Sequence, residues 1–238
     1  MTEPTPADPR RLFPSPGFPT VPVSGEPGVY PVHRIFCVGR NYAEHAKEMG
    51  FEVDREAPFY FTKSPLALVA TGATVPYPPV TRDYQHEIEL VVAIGAPAWR
   101  VSVAEAPQTV FGYAAGLDMT RRDLQLASRA KQRPWAFGKD FERAAVIAPL
   151  TRAAVFAVGD QAIRLAVNGA PRQQGRLSEL VWSVAELVSD LSRHYHLAPG
   201  DLIFTGTPAG VGPVVPGDVI RGTIDGLEPV TLTVGEPE

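Results

Sequence analysis

The sequence predicts an α+β fold built on a mixed sheet. Strand-like runs dominate the chain, helical patterns interrupt them irregularly, and no strand–helix–strand alternation persists. The strongest strand is Tyr84-Gln85-His86-Glu87-Ile88-Glu89-Leu90-Val91-Val92-Ala93-Ile94-Gly95, rich in β-branched residues and closed by glycine. Side chains alternate along a strand, so Ile88, Leu90, Val92 and Ile94 share one face and are expected to pack inward. Glu87 and Glu89 share the other face, with α-carbons about 6.6 Å apart at roughly 3.3 Å per residue. That face continues as Val91 and Ala93. It reads either as an antiparallel strand wet at one end of its outer face, or as two like charges that need a cation between them. Oxygen-only ligands of this kind suit Mg²⁺ or Mn²⁺.

The chain has 238 residues, 45% of them hydrophobic, enough for one full core. A net charge of −4 with both signs mixed argues against a nucleic acid or an anionic membrane as partner. No apolar stretch approaches the roughly 20 residues of a membrane helix, and the N-terminus lacks the apolar core of a signal peptide. The single Cys37 excludes an internal disulfide and fits a reducing cytoplasm. It sits in the apolar run Ile35-Phe36-Cys37-Val38, which suits packing better than nucleophilic chemistry. Prolines crowd the stretch before Val32, so residues 1–29 read as an extended or disordered arm and 30–238 as the folded domain.

Taken in order, the domain begins with a strand through Ile35–Val38 and a turn at Gly39. Asn41 can cap a short helix, with Glu44 at the capping-box position and Gly50 as its stop. Tyr42, Ala46 and Met49 make its apolar side, and His45 and Glu48 lie together three residues apart. So short a helix is marginal alone and suits a lid; its His–Glu pair is equally a surface polar pair. Phe59–Lys63 and Leu66–Ala70 read as strands, with Lys63 either a solvated strand-end charge or a group facing an anion. Phe111–Leu117 is a strand ending in Asp118, and a helix follows from Thr120 with Asp123 at its capping-box position. Arg122 and Gln125 share one side of that helix. Around it Arg121, Arg122, Arg129, Lys131 and Arg133 stand against the single Asp123, an excess that could receive carboxylates. Gly138 beside Lys139 allows a close backbone approach. Gln161–Val167 alternates as a strand and ends in the hairpin signal Asn168-Gly169. Ser183 and Glu186 open the clearest helix, with Val184, Leu187, Val188, Leu191 and Tyr195 as its core stripe. Leu202–Thr205 is a strand leading into the glycine-rich Gly206–Gly212 turn.

Several chemistries are absent from the pattern. There is no G-x-S-x-G elbow, no zinc-protease helix after His86-Glu87, no dinucleotide fingerprint, and no Lys-Ser/Thr ending to the Gly206–Gly212 turn. What remains is three carboxylates at strand ends (Glu87, Glu89 and Asp118), the His45–Glu48 pair and a Lys/Arg/Gln set.

Four ordered blocks then carry a resemblance: Gly39-Arg40-Asn41-Tyr42-Ala43-Glu44-His45, His86-Glu87-Ile88-Glu89-Leu90, Gly116-Leu117-Asp118-Met119-Thr120 and Thr205-Gly206-Thr207-Pro208. Together they resemble the fumarylacetoacetate hydrolase family, from about residue 30 to residue 234, with Arg133-Pro134-Trp135 and Gly138-Lys139 in support. The resemblance implies a mixed β-sheet rolled on itself around helices, a homodimer, and Mg²⁺ or Mn²⁺ held by Glu87, Glu89 and Asp118. It implies His45 with Glu48 and Lys139 as catalytic groups, and Arg122, Gln125 and Thr207 as substrate-orienting groups. The implied activity is metal-dependent cleavage of a 3-acylpyruvate in aromatic (gentisate-type) catabolism, foremost fumarylpyruvate to fumarate and pyruvate. In that scheme Glu48 polarises His45, His45 takes a proton from the attacking water, and Lys139 helps stabilise the developing oxygen charge. A second carboxylate on the substrate would need its own cation, for which Arg40 and Lys63 are the candidates. Oxaloacetate decarboxylation, isomerisation of a 2-oxo acid and turnover-free binding are the rival expectations.

Overall fold

Alternation along one strand separates two cores. The computed structural model describes residues 17–50 and 55–238. Ile88–Ile94 lies near the middle of an eight-stranded sheet and is buried along its whole length. From one edge the order is Phe59–Lys63, Arg34–Gly39, Asp201–Phe204, Ile88–Ile94, Val110–Asp118, Ala145–Ile147 and Leu68–Ala70, with Thr151–Arg152 pairing beside Val110–Asp118. The pairing is mixed: Asp201–Phe204 runs parallel to Arg34–Gly39 and antiparallel to Ile88–Ile94. A five-stranded sheet follows the order Ala170–Arg176, Ala162–Val167, Val219–Ile224, Val230–Gly235, Ala73–Pro76.

Ile88, Leu90, Val92 and Ile94 face the main core, which they share with Ile163, Leu165, Ile220 and Leu232 of the five-stranded sheet. The Val184–His194 helix completes it with Val184, Leu187, Val188 and Leu191. This helix carries the expected capping box: Ser183 Oγ accepts from Glu186 N at 3.3 Å and Ser183 N donates to Glu186 at 2.8 Å. Tyr195 departs from the expected stripe. It follows the last helical turn, is 44% exposed, and tilts against Phe36. The result is a curled mixed sheet with few helices, as the α+β expectation requires.

The opposite face of the large sheet builds a second core from Ile35, Cys37, Val91, Ala93, Ala114, Leu202 and Phe204. Its cover corrects the expected boundary at residue 29. Thr20–Pro22 pairs antiparallel with Val29–Pro31, and Val21, Val23, Tyr30 and Val32 are buried in this second core. The Tyr30 hydroxyl donates to Ile94 O at 2.7 Å and accepts from Gly200 N at 2.8 Å. Apolar residues at alternate positions give the hairpin an inward face, while Pro22 and Pro31 fit an edge where fewer amide donors are needed. The part of the expected arm before residue 17 lies outside the described residues.

Other local expectations are also redirected. Leu66–Ala70 divides into a 3₁₀ turn at Pro65–Ala67 and a strand at Leu68–Ala70, because Pro65 starts the turn and Ser64 Oγ caps it. The lid helix spans Ala43–Glu48 and stops at Gly50, whose φ is +78°. Asn41 does not cap it. Its amide donates to Thr205 O at 2.8 Å and Trp182 O at 3.0 Å and accepts from Trp182 N at 2.7 Å, joining three loops. Asp123 likewise accepts from Thr81 Oγ1 at 2.5 Å and Arg82 N at 2.9 Å, and the helix it was expected to cap spans Arg122–Ala130.

Candidate active site

Glu87 falls where the chain leaves the Tyr84–His86 strand of a small sheet and enters Ile88–Ile94. Asp118 N donates to Glu87 O at 2.9 Å, so the ends of two long strands are clamped together. Alternation then brings Glu87, Glu89 and Asp118 to one buried point, where each offers an oxygen within 4.8 Å of the others. Three buried cations surround them. Lys139 Nζ donates to Glu87 Oε2 and Asp118 Oδ2 at 2.7 Å each and to Thr120 Oγ1 at 2.6 Å. Arg122 Nη2 pairs with Glu87 Oε1, and Lys63 Nζ lies 2.8 Å from Asp118 Oδ1.

Charges are unevenly shared within this cluster. Burial acts to raise Glu87, but Lys139 and Arg122 beside it hold its carboxyl well below the usual range. Glu89 receives Gly206 N at 2.7 Å and forms no ion pair among the described residues. Burial, and then the negative charges of Asp118 and Glu87, push it well above the usual carboxylate range. Lys63 Nζ, 2.8 Å from Asp118 Oδ1, also donates to Met119 O at 3.1 Å and to Lys139 O. Three buried carboxylates that converge on one point, one of them without an ion-pair partner among the described residues, form an all-oxygen donor set that fits a hard divalent cation.

Two expected groups are engaged with the carboxylates. Lys63 is 2% exposed, is not among the residues that line the cavity, and meets Asp118 and two backbone carbonyls. The expectation that Lys139 caps a developing oxygen charge meets three ammonium donors directed at Glu87, Asp118 and Thr120. Lys139 reaches them because Gly138 packs against the neighbouring helix. A β-carbon there would lie 2.7 Å from the Gln125 β-carbon.

Glu87, Glu89 and Lys139 of this cluster line a cavity that opens to solvent. Arg122, Gln125 and Thr207 line it. Arg122 Nη1 donates to Gln125 Oε1 at 2.5 Å and Nε to Gln85 Oε1 at 2.8 Å, so the guanidinium is fixed between the helix and the carboxylates. His45 reaches the same cavity from the lid helix, 7% exposed, and its Nδ1 lies 3.0 Å from Glu48 Oε2. A carboxylate can only accept, so Nδ1 carries a proton, and in the neutral imidazole Nε2 then keeps the lone pair. Glu48 is itself held by Gly210 N at 3.2 Å. Arg40 also lines the cavity, on left-handed backbone with φ +63°.

Sequence reasoning missed two participants. Arg129, one helical turn beyond Gln125, enters the cavity wall near Arg40; its place was readable from the i, i+3, i+7 series Arg122, Gln125, Arg129. Gln173 sits buried on the otherwise exposed Ala170–Arg176 strand and donates to Thr207 Oγ1 at 2.7 Å. The only local signal was a polar residue on an alternating hairpin.

Fold and site together define a metal-site enzyme scaffold of the fumarylacetoacetate hydrolase family, and the chain belongs to that family. Residues 34–235 match the family described as "Fumarylacetoacetate (FAA) hydrolase C-terminal". The chain is 53% identical to fumarylpyruvate hydrolase of Ralstonia sp over 192 residues, which is 80% of this chain and 100% of that protein. It is 40% identical over 205 residues to the mitochondrial oxaloacetate tautomerase of Homo sapiens, covering 86% of this chain and 92% of the relative. The crystal structure of fumarylpyruvate hydrolase from Pseudomonas aeruginosa in complex with Mn²⁺ and pyruvate superposes with a TM-score of 0.92 at 47% identity, covering 95% of this chain and all of that one. No helix among the described residues is long and apolar enough to cross a membrane.

Proposed function

We propose that this chain hydrolyses the carbon–carbon bond of 3-acylpyruvates, with fumarylpyruvate as substrate and fumarate and pyruvate as products. The observation that carries this reading is the meeting of an all-carboxylate cation site with a carboxylate-held imidazole in one cavity. Similarity to the Ralstonia and Pseudomonas fumarylpyruvate hydrolases supports it.

Glu87, Glu89 and Asp118 would hold Mg²⁺ or Mn²⁺, an assignment supported by their convergence on one buried point and by Glu89, which forms no ion pair among the described residues. The bound ion supplies Lewis acidity to the carboxylate and keto oxygens of the pyruvyl end. Lys63 and Lys139 pair with two of the three carboxylates and hold them in place. Arg122, Gln125 and Thr207 orient the pyruvyl carboxylate. His45 Nε2 takes a proton from water as the oxygen adds to the distal carbonyl, while Glu48 holds the Nδ1 proton and stabilises the imidazolium. Collapse of the adduct expels the carbon beside it as the enolate of pyruvate, which is then protonated, and the acyl half leaves as a carboxylic acid.

The far carboxylate of fumarylpyruvate meets Arg40 and Arg129. Burial, and then the Arg129 charge, lower the affinity of the Arg40 guanidinium for its proton, as two cations facing one space should. Along the helix, Arg122 and Arg129 are about 10 Å apart at 1.5 Å per residue. A seven-carbon chain with a carboxylate at each end spans roughly 8 Å, so one molecule can engage both ends of the helix. Oxaloacetate is shorter and cannot, although similarity to the human tautomerase keeps it in the test. A homodimer in the cytoplasm is part of the proposal.

The deciding assay incubates the protein and Mg²⁺ or Mn²⁺ with fumarylpyruvate, acetylpyruvate and oxaloacetate, monitoring pyruvate, fumarate and the enol–keto absorbance of oxaloacetate. Fumarate release with a kcat/KM above that for the other two supports the reading. Turnover of oxaloacetate alone overturns it.

A further inference from the structure

The Thr207 hydroxyl has one proton, and its hydrogen-bond partner determines where that proton points. Gln173 is 1% exposed and makes four hydrogen bonds. Ile88 N, which can only donate, lies 3.1 Å from one end of its amide, and Pro208 O, which can only accept, lies 2.8 Å from the other. Two backbone groups therefore fix which end is oxygen and which is nitrogen. His86 Nδ1, 3.0 Å from the amide oxygen, must carry a proton for the same reason. The second amide proton goes to Thr207 Oγ1 at 2.7 Å. Thr207 is thus an acceptor on that side, and its own proton is directed elsewhere. Thr207 is 2% exposed and borders the cavity beside Glu87, Glu89 and Lys139.

The loop that carries Thr207 is seated on the same hairpin strand. A β-carbon at Gly210 would lie 2.1 Å from Arg172 O, and one at Gly175 would lie 2.8 Å from the Pro208 β-carbon. The five-stranded sheet therefore reaches the site through one side chain, the only buried one of the Ala170–Arg176 strand.

We infer that Gln173 is a positioning residue: it sets the polarity of Thr207, so that the hydroxyl proton is presented to the carboxylate of the bound 2-oxo acid. The inference rests on the reading of this cavity as a 2-oxo acid site. It makes the amide, and not merely the volume, of residue 173 a determinant of substrate binding.

Three variants separate this role from a structural one. Gln173→Glu keeps the shape and can still accept from Ile88 N and His86, but its carboxylate draws the Thr207 proton toward itself. Gln173→Met loses every hydrogen bond yet leaves that proton free. Thr207→Val removes the hydroxyl. Pyruvate affinity is measured by calorimetry with Mg²⁺ present, kcat/KM on fumarylpyruvate in parallel, and the melting temperature of each variant as a fold control. At alkaline pH, Gln173→Glu and Thr207→Val should each lose about 10- to 100-fold in pyruvate affinity, the range of a hydrogen bond to a charged group. Gln173→Met should lose less affinity while melting lower. Adding Gln173→Glu to Thr207→Val should cost nothing further, because the two act through one proton. A structural Gln173 gives the opposite order, Met worse than Glu in affinity as in stability, or independent losses in the double variant, and either result overturns the inference. Tight pyruvate binding without acylpyruvate cleavage by the unaltered protein would instead sink the proposed reaction and leave the polarity test readable.

Discussion

Lys63 Nζ lies 2.8 Å from Asp118 Oδ1, with both side chains almost completely buried. A lysine that the sequence leaves open between a solvated strand-end charge and a group facing an anion is thereby buried against Asp118. Removing one partner of a buried pair commonly costs about 3–5 kcal/mol, because the other charge stays buried. Lys63→Met should therefore melt roughly 10 °C lower, at about 2–4 °C per kcal/mol for a chain of this size. Saturating Mg²⁺ should restore part of the loss by supplying the missing positive charge. Differential scanning calorimetry with and without the ion checks both statements.

Glu89 shares its burial with two other carboxylates and forms no ion pair among the described residues. Mg²⁺ or Mn²⁺ at about 100 times its dissociation constant should stabilise the protein by about 2.7 kcal/mol. Glu89→Gln removes one of the repelling charges. The variant should melt higher than the parent without metal and respond less to added ion. Equal melting shifts in the two proteins would remove Glu89 from the metal site.

His45 and Glu48 form a 3.0 Å pair on the lid helix. Replacing a general base commonly costs ~10²–10⁴ in rate. His45→Gln should lose acylpyruvate hydrolysis on that scale with metal affinity unchanged, and any oxaloacetate decarboxylation should suffer far less, since it needs no activated water. Glu48→Gln should act in the same direction with a smaller loss. Parallel loss of both reactions would assign the pair to binding or closure.

Arg129 and Arg40 both line the cavity and are close enough for the Arg129 charge to act on Arg40. Arg129→Met should lower kcat/KM for fumarylpyruvate by about 10- to 100-fold, the worth of a hydrogen bond to a carboxylate. It should change acetylpyruvate hydrolysis little, so that the ratio of the two collapses. An unchanged ratio in both Arg129→Met and Arg40→Met would place the second carboxylate elsewhere.

Cys37 is fully buried, and burial, then the nearby Asp118 charge, push its thiol well above its ordinary value of 9.0. A folded pKa raised above the unfolded one leaves stability unaffected below that value. As pH rises past it, the unfolded chain ionises and the folded one does not, so stability falls by at most about 1.4 kcal/mol per pH unit. Cys37→Ala should flatten this alkaline decline. In the parent protein an alkylating reagent should label the thiol only at the rate of unfolding, as followed by mass spectrometry.

Much of the site was legible wherever chemistry follows a local period. Alternation placed Glu87 and Glu89 on one face, the helical period paired His45 with Glu48 and Arg122 with Gln125, and Ser183 with Glu186 formed the expected box. Asn168 and Gly169 take the positive φ that their dipeptide announces. These outcomes depend on backbone geometry within a few residues, which a sequence states directly.

What packs on each face was decided by tertiary structure. Asn41, expected to cap the next helix, instead bonds a carbonyl 164 positions away, and Gln173 reaches Thr207 across 34 residues. Prolines that suggested a loose arm conceal an alternating Val21–Val23 pattern that becomes a strand once the second core has a face to cover. Lys63 could be solvated or buried until the fold brought Asp118 opposite it. The sequence alone determined the strand and helix periods, the residue types and hence the candidate chemistry. Only the tertiary structure decided which charges meet, because a buried ion's partner is selected by long-range packing and the cost of leaving it unpaired.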